Sequence, residues 1–245
     1  YGMLTEDKFF DKAKKFAMYA DTDGGLHTFD AYLESIKEQQ TDKDKKTVVL
    51  YASNKDAQHS YIQKAKSKGY SVLLLDSPLT SHLLQKLEQE HENTTFARVD
   101  SDLIDNLIKK DETRVAKLSD KQKEELKTRL ETIVPTEKFT LKLEDMDSTE
   151  APLVITVPEF MRRMKEMQMT GGGGMMGMGD FPDMYDLIVN ANHPLASKIL
   201  DTEDAEARSS AVNQALDLAK LQQNLLHGEE LTAFIARSYE MLGNE

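Results

Sequence analysis

The sequence contains no cysteine, which removes disulfides, thiolate nucleophiles and thiolate metal sites together. It has no apolar run near the roughly 20 residues that a membrane-spanning helix needs, and no secretory leader is expected. Basic residues are the minority: 31 Lys and Arg stand against 43 Asp and Glu, a net charge of −12 over 245 residues. A surface of that sign repels phosphate backbones, so nucleic acid is not an expected partner, and neither is a membrane. The chain opens Tyr1-Gly2-Met3-Leu4 without an initiator methionine and runs almost directly into a helical pattern. It is expected to be a piece of a longer protein.

Catalytic signatures are missing too. The six histidines (His27, His59, His82, His91, His193, His227) are scattered, and none has the i, i+4 spacing of a metal-binding helix. No nucleophile elbow and no paired-carboxylate signature occurs. Asp21-Thr22-Asp23-Gly24 resembles the start of a calcium loop, but its glycine comes too early and position twelve would be Tyr32 rather than glutamate. A turn that stops a helix is the expectation there. No catalytic residue and no metal ligand is therefore assigned.

What is present divides unevenly. Counting along the sequence, residues 1–118 hold 20 acids and 18 bases, net −2, and residues 119–245 hold 23 acids and 13 bases, net −10. Two domains with different surfaces, 1–118 and 119–245, are the simplest account. In the first, Phe9, Phe10, Ala13, Phe16, Ala17 and Ala20 recur at helical spacing after Thr5. A second helix carries Phe29, Tyr32, Leu33 and Ile36. Val48–Tyr51, Val72–Leu75 and Phe96–Val99 are short β-rich runs separated by helical stretches. Strand, helix, strand, helix, strand predicts a small parallel sheet in a three-layer α/β unit. Such sheets often bind nucleotides, yet Ala52-Ser53-Asn54-Lys55 and Asp76-Ser77-Pro78 follow the first two strands without a glycine cradle. A structural role is the stronger reading. An α/β enzyme using Asp76 or Asp100 is the rival.

A connecting helix over Asp102–Lys110 closes the first domain, and the second opens with a helix over Asp120–Ile133 behind a Ser119/Gln122 capping box. Phe139, Leu141 and Leu143 alternate with polar residues, Leu153–Val157 follows after a turn, and Tyr185–Asn190 is a third strand. Short loops predict an antiparallel sheet covered by helices, an α+β arrangement. Eight of the twelve methionines lie between Met161 and Met184. Phe160, Met161, Met164 and Met167 share one face of a helix over Pro158–Met169, with Arg162, Arg163, Lys165 and Glu166 on the others. Gly171–Gly174 follow, then Met175, Met176 and Met178. The stripe reads equally as core or as an adaptable apolar binding surface. At the C-terminal end Thr202 can cap a helix over Glu203–Leu226, and a last helix carries Leu231, Phe234, Ile235, Tyr239 and Leu242. That apolar hairpin needs a cover, from its own domain or from a second copy in a four-helix bundle.

Four segments in order resemble one family. Phe29–Lys37 (FDAYLESIK) and the strand Val48–Ala52 are similar to a Y-x-x-R-M-K helix and I-Y-Y-I-T strand in the middle domain of the 90-kilodalton heat-shock protein chaperones. Gly69–Asp76 (GYSVLLLD) and Leu187–Leu195 (LIVNANHPL) are similar to that family's G-x-E-V-L and N-P-x-H-P segments. The resemblance implies the small α/β part of the middle domain followed by the C-terminal dimerisation domain. It implies an ATP-dependent chaperone whose ATP and magnesium site lies in an N-terminal domain absent here. This piece would then hold no cofactor and hydrolyse nothing. It implies a homodimer through Ala211, Ala215, Leu218, Leu225, Leu231, Phe234, Ile235, Tyr239 and Leu242. Partly unfolded client proteins would be contacted by Phe160, Met161, Met164, Met167, Met169, Met175, Met176 and Met178. The ending Gly243-Asn244-Glu245, without an acidic Met-Glu-Glu-Val-Asp tail, implies a bacterial, cytoplasmic type that recruits no tail-binding co-chaperone. The alternative is a dimerisation scaffold that binds no client.

Overall fold

The structure is a computed structural model and describes residues 2–111, 114–170 and 184–243, with the side chains of 168–170 outside the description. Its elements in chain order are α1 (Gly2–Thr5), α2 (Asp7–Ala13), β1 (Met18–Ala20), β2 (Leu26–Thr28), α3 (Phe29–Gln40), β3 (Thr47–Ala52), α4 (His59–Ser67), β4 (Val72–Leu74), α5 (Thr80–Glu90), β5 (Thr94–Arg98) and α6 (Ile104–Leu107). There follow α7 (Asp120–Glu131), β6 (Phe139–Glu144), β7 (Leu153–Thr156), α8 (Glu159–Thr170), β8 (Tyr185–Asn190), α9 (Pro194–Asp201), α10 (Ala205–Gln222) and α11 (Gly228–Gly243). They form an α/β unit and an α+β unit. The division is not the single boundary expected after residue 118. One unit is 1–111 together with 157–181, and the other is 112–156 together with 182–245. The methionine helix α8 thus belongs to the α/β unit.

In that unit β3 lies between β4 and β5, parallel to both, with Leu50 opposite Val72 and Thr47 opposite Thr94. Val48 to Ala52 are all buried, as a central strand covered on both faces requires. Phe10, Phe29, Tyr32, Ile36, Leu73, Leu84, Leu87 and Phe96 complete this core, with the Phe29 and Phe96 rings stacked 5.6 Å apart. Buried Gln40 ties two strands, its Nε2 donating to Val48 O at 2.9 Å and its Oε1 accepting from Ser71 N at 2.6 Å.

The expected first helix is cut short. It ends at Ala13, and Met18–Ala20 pairs with Leu26–Thr28 as a hairpin. Asp23-Gly24-Gly25 is therefore a hairpin turn and not a helix stop. Asp21 Oδ1 accepts from Asp23 N and Gly25 N, both at 2.8 Å, and Oδ2 lies 2.7 Å from His27 Nε2. Gly24 takes φ +90° there, a backbone open to glycine at no steric cost. The helix expected over Asp102–Lys110 is reduced to the single turn of α6.

The second sheet has the order β6-β8-β7 and is mixed, which corrects the antiparallel expectation. β8 runs parallel to β6, Phe139 opposite Tyr185, and antiparallel to β7, Leu153 opposite Val189. Parallel pairing needs a long connection, and the excursion through 157–181 provides it. α7 begins at the expected capping box: Gln122 N donates to Ser119 Oγ at 3.4 Å and Ser119 N to Gln122 Oε1 at 3.0 Å. α9 was not expected. Pro194 opens it with its φ preset, and His193 Nδ1 caps it by accepting from Leu195 N at 3.0 Å. α10 is capped by Asp204, which accepts from Glu206 N at 2.9 Å, and not by Thr202. Leu126, Leu130, Phe139, Ile155, Leu187, Ile199, Val212 and Leu216 lie in this unit's core.

Candidate functional surfaces

The first candidate surface is α8. Its sequence leaves the apolar stripe open between core and binding surface, and the structure turns Glu159, Arg162, Arg163 and Glu166 toward the unit and leaves Lys165 exposed. Arg162 is 8% exposed. Its guanidinium donates to Glu159 Oε1 at 2.6 Å, to the Tyr51 hydroxyl and to Glu166, and lies 5.5 Å from the Tyr51 ring. Arg163 donates to Glu159 at 2.7 Å, to both oxygens of Glu88 on α5 at 3.0 and 3.2 Å, and to Phe96 O at 2.9 Å. Glu159 also accepts from the Tyr51 hydroxyl at 3.0 Å and from Arg98 N at 3.1 Å. Glu166 accepts from Ser81 Oγ. Tyr51 is the last residue but one of β3, and Arg98 ends β5. The polar side of α8 is thus seated on the carboxyl ends of the parallel strands.

Electrostatics follow from that seat. Burial alone would push the Glu159 carboxyl up, but Arg162 and Arg163 outweigh it and hold the group below the usual carboxylate range. Burial would lower Arg162 and Arg163, but Glu159 and Glu166 raise the first and Glu88 and Glu159 raise the second. Burial and the neighbouring Glu159 push the Tyr51 phenol far up, so it stays a neutral donor. Asp100 accepts both bonds of a bidentate pair from Arg98, at 2.6 and 3.0 Å, and is not a free ligand.

On the outer side Phe160 is 71% exposed and Met164 is exposed beside it, while Met161 and Met167 are half-buried. Met169 lies in α8, but its side chain is outside the described residues. Met175, Met176 and Met178 lie outside them altogether.

The second candidate surface is the pair α10 and α11. α10 buries Val212, Ala215, Leu216 and Ala219 in its own unit, and α11 buries only Phe234. Arg237 pairs with buried Asp217, Lys220 reaches Glu230 at 3.3 Å, and Gln214 Nε2 donates to Ser238 Oγ at 3.2 Å. Turned outward are Leu218, Ile235, Tyr239 (72% exposed) and Leu242 (75% exposed). Leu221 and Met241, which the sequence reading did not select, are also exposed. Ala211, Leu225 and Leu231 are half-buried. Ala215 and Phe234, also expected at a dimer contact, are buried within the unit. Leu221 stands three positions after Leu218, a spacing that could have found it.

Among the described residues no cluster of three His, Asp or Glu side chains is placed to hold a metal ion, and no helix is long and apolar enough to cross a membrane.

The described residues thus comprise a parallel sheet whose strand ends are capped by a charged helix, and an α+β unit with an exposed apolar helix pair. No family model matches the chain. Individual relatives do. Chaperone protein htpG of Bacteroides fragilis is 35% identical over 99% of this chain and 45% of the relative. Chaperone protein HtpG of Bacteroides thetaiotaomicron is 34% identical over the same shares. Chaperone protein HtpG of Porphyromonas gingivalis is 41% identical over 91% of this chain and 33% of the relative. The chain belongs to the HtpG chaperones, matching the C-terminal part of those proteins. It spans less than half the length of these relatives.

Proposed function

We propose that this chain is the dimer-forming and client-contacting portion of an HtpG-type chaperone that assists the folding of other proteins in the cytoplasm. The observation that carries the reading is the outward-turned apolar side of α8. Phe160 and Met164 face solvent on a helix fixed by its opposite, charged side. Thioether and phenyl groups adapt to many apolar partners without demanding a sequence. The exposed residues of α10 and α11 support a contact with a second copy. Two arms joined there would engage one client at two points, which raises effective concentration.

The work of this part is physical, not chemical. ATP and magnesium would bind in the portion of the protein that this chain does not contain, and this chain would neither hold a cofactor nor hydrolyse ATP. The rival α/β-enzyme reading is disfavoured by one arrangement. Ligands of parallel sheets bind at the carboxyl ends of the strands, and here Glu159, Arg162 and Arg163 occupy those ends at Tyr51 and Arg98.

Methionine-methyl NMR with a partly unfolded protein as client tests the reading. Client-dependent shifts at Met161, Met164 and Met167, with Met146 in the α+β core unmoved, are the expected result. Resonances indifferent to client would leave dimerisation alone, the scaffold reading.

A further inference from the structure

Most surface helices dock by their apolar side, which water then holds in place. α8 docks by its charges. Of its described apolar residues, Phe160 and Met164 are exposed and Met161 and Met167 only half-covered, so little hydrophobic area is lost if the helix lifts. The bonds that seat it are charge-assisted: Glu159 accepts from the Tyr51 hydroxyl and Arg98 N, Arg162 donates to Tyr51, Arg163 pairs with Glu88, and Glu166 accepts from Ser81, while Arg162 and Arg163 neutralise Glu159 along the helix itself. Desolvating such charges largely offsets their attraction, and on release each regains water. A seat built this way holds one orientation closely and has little net free energy behind it.

We propose that α8 is a detachable arm, held to the α/β unit by a latch of charge-assisted hydrogen bonds centred on Glu159. Seated, it shows Phe160 and Met164. Released, it also uncovers Met161 and Met167, and the whole stripe at 160, 161, 164 and 167 faces outward. The latch would therefore set how much apolar surface is offered. That consequence rests on the client-binding role proposed above, while the latch itself does not. Glu159 is the centre because its two oxygens accept from four groups on three segments: Tyr51, Arg98 N, Arg162 and Arg163. The backbone before the helix is pinned separately, Val157 N donating to Asp100 O at 2.9 Å, so release would pivot at Pro158.

Amide hydrogen exchange on the whole chain tests the latch, with the β3 amides as internal reference. Glu159→Gln keeps the side-chain size and removes the charge. Its α8 amides between 160 and 167 are expected to exchange about tenfold faster or more, with β3 unchanged. In the wild type, raising salt from about 0.05 to about 0.5 M is expected to move α8 the same way, since screening weakens partly exposed pairs. A peripheral pair guards against misfolding: Arg163→Glu alone should loosen α8, and Glu88→Arg added to it should restore protection. Exchange in α8 that is unchanged in Glu159→Gln, or that rises only in step with β3, overturns the proposal, because the helix would then leave only by unfolding of the unit. Binding of a partly unfolded client is read separately. Several-fold tighter binding by Glu159→Gln supports the coupling. A loosened α8 with unchanged client affinity would keep the latch and sink the client role.

Discussion

Leu242 offers the sharpest test of assembly through α10 and α11. It is 75% exposed on the last turn of α11, so replacing it should cost the isolated unit almost nothing, and alanine is the better helix former. In a two-fold dimer the same leucine is buried twice. Covering a fully exposed leucine contributes about 2 kcal/mol. Less the methyl of about 0.8 kcal/mol that alanine keeps, three quarters of the remainder at each of two sites gives about 1.8 kcal/mol. This corresponds to a roughly 20-fold rise in the dimer dissociation constant. Sedimentation velocity over a concentration series reads that constant directly, with the melting temperature of the dilute monomer as control. Leu242→Ala should shift the constant and leave the monomer's melting temperature within about 1 °C. A shift below about threefold, or a wild-type chain that stays monomeric at high concentration, would refute the assignment of this face. Phe234→Asp is a poor substitute, because Phe234 is buried inside the unit and its loss would report on folding.

Two further expectations concern the scaffold. His193 caps α9 through an unprotonated Nδ1, and burial lowers its pKa. The unfolded chain therefore takes the proton first, and stability present above about pH 6.5 is lost as pH falls below it. His193→Ala should cost about 1 kcal/mol at neutral pH and flatten that part of the pH dependence, as read by melting at pH 7.5 and 5.5. Gln40→Leu leaves Val48 O and Ser71 N without their bonds, and denaturant unfolding should show a loss of about 2–4 kcal/mol. A loss under about 0.5 kcal/mol would mean that water replaces the side chain.

The strands were legible where burial imposes a pattern: the continuous apolar run at β3 and the strict alternation at β6. The hairpin of β1 and β2 was hidden because Phe16, Ala17 and Ala20 happen to continue a helical spacing, although Phe16 is exposed. Three-residue strands leave no period to read. The direction of β8 was not legible either, since pairing is decided by the path of the chain between strands. The inward role of the α8 charges was not legible, since at helical spacing Arg162, Arg163 and Glu166 show only that they lie off the apolar stripe. Their partners Tyr51 and Glu88 stand far away in sequence and give no local sign. The apolar side of the same helix was found, and four of the nine residues assigned to a dimer contact do face outward.

The path of the chain bears on how this protein is made. β6 and β7 of the α+β unit leave the ribosome first, but the strand that pairs with both is β8, synthesised only after the chain has contributed α8 to the other unit. Until then β6 and β7 have no common neighbour, and their edges stand unpaired in the nascent chain. The early elements of the α/β unit meet no such delay, since the strands of its parallel sheet all precede residue 100. Folding should accordingly proceed in order of synthesis, the parallel sheet first and the mixed sheet last. Neither unit can be excised as one continuous stretch of sequence: a chain stopped at Thr156 would lack the middle of one sheet and the helical cap of the other.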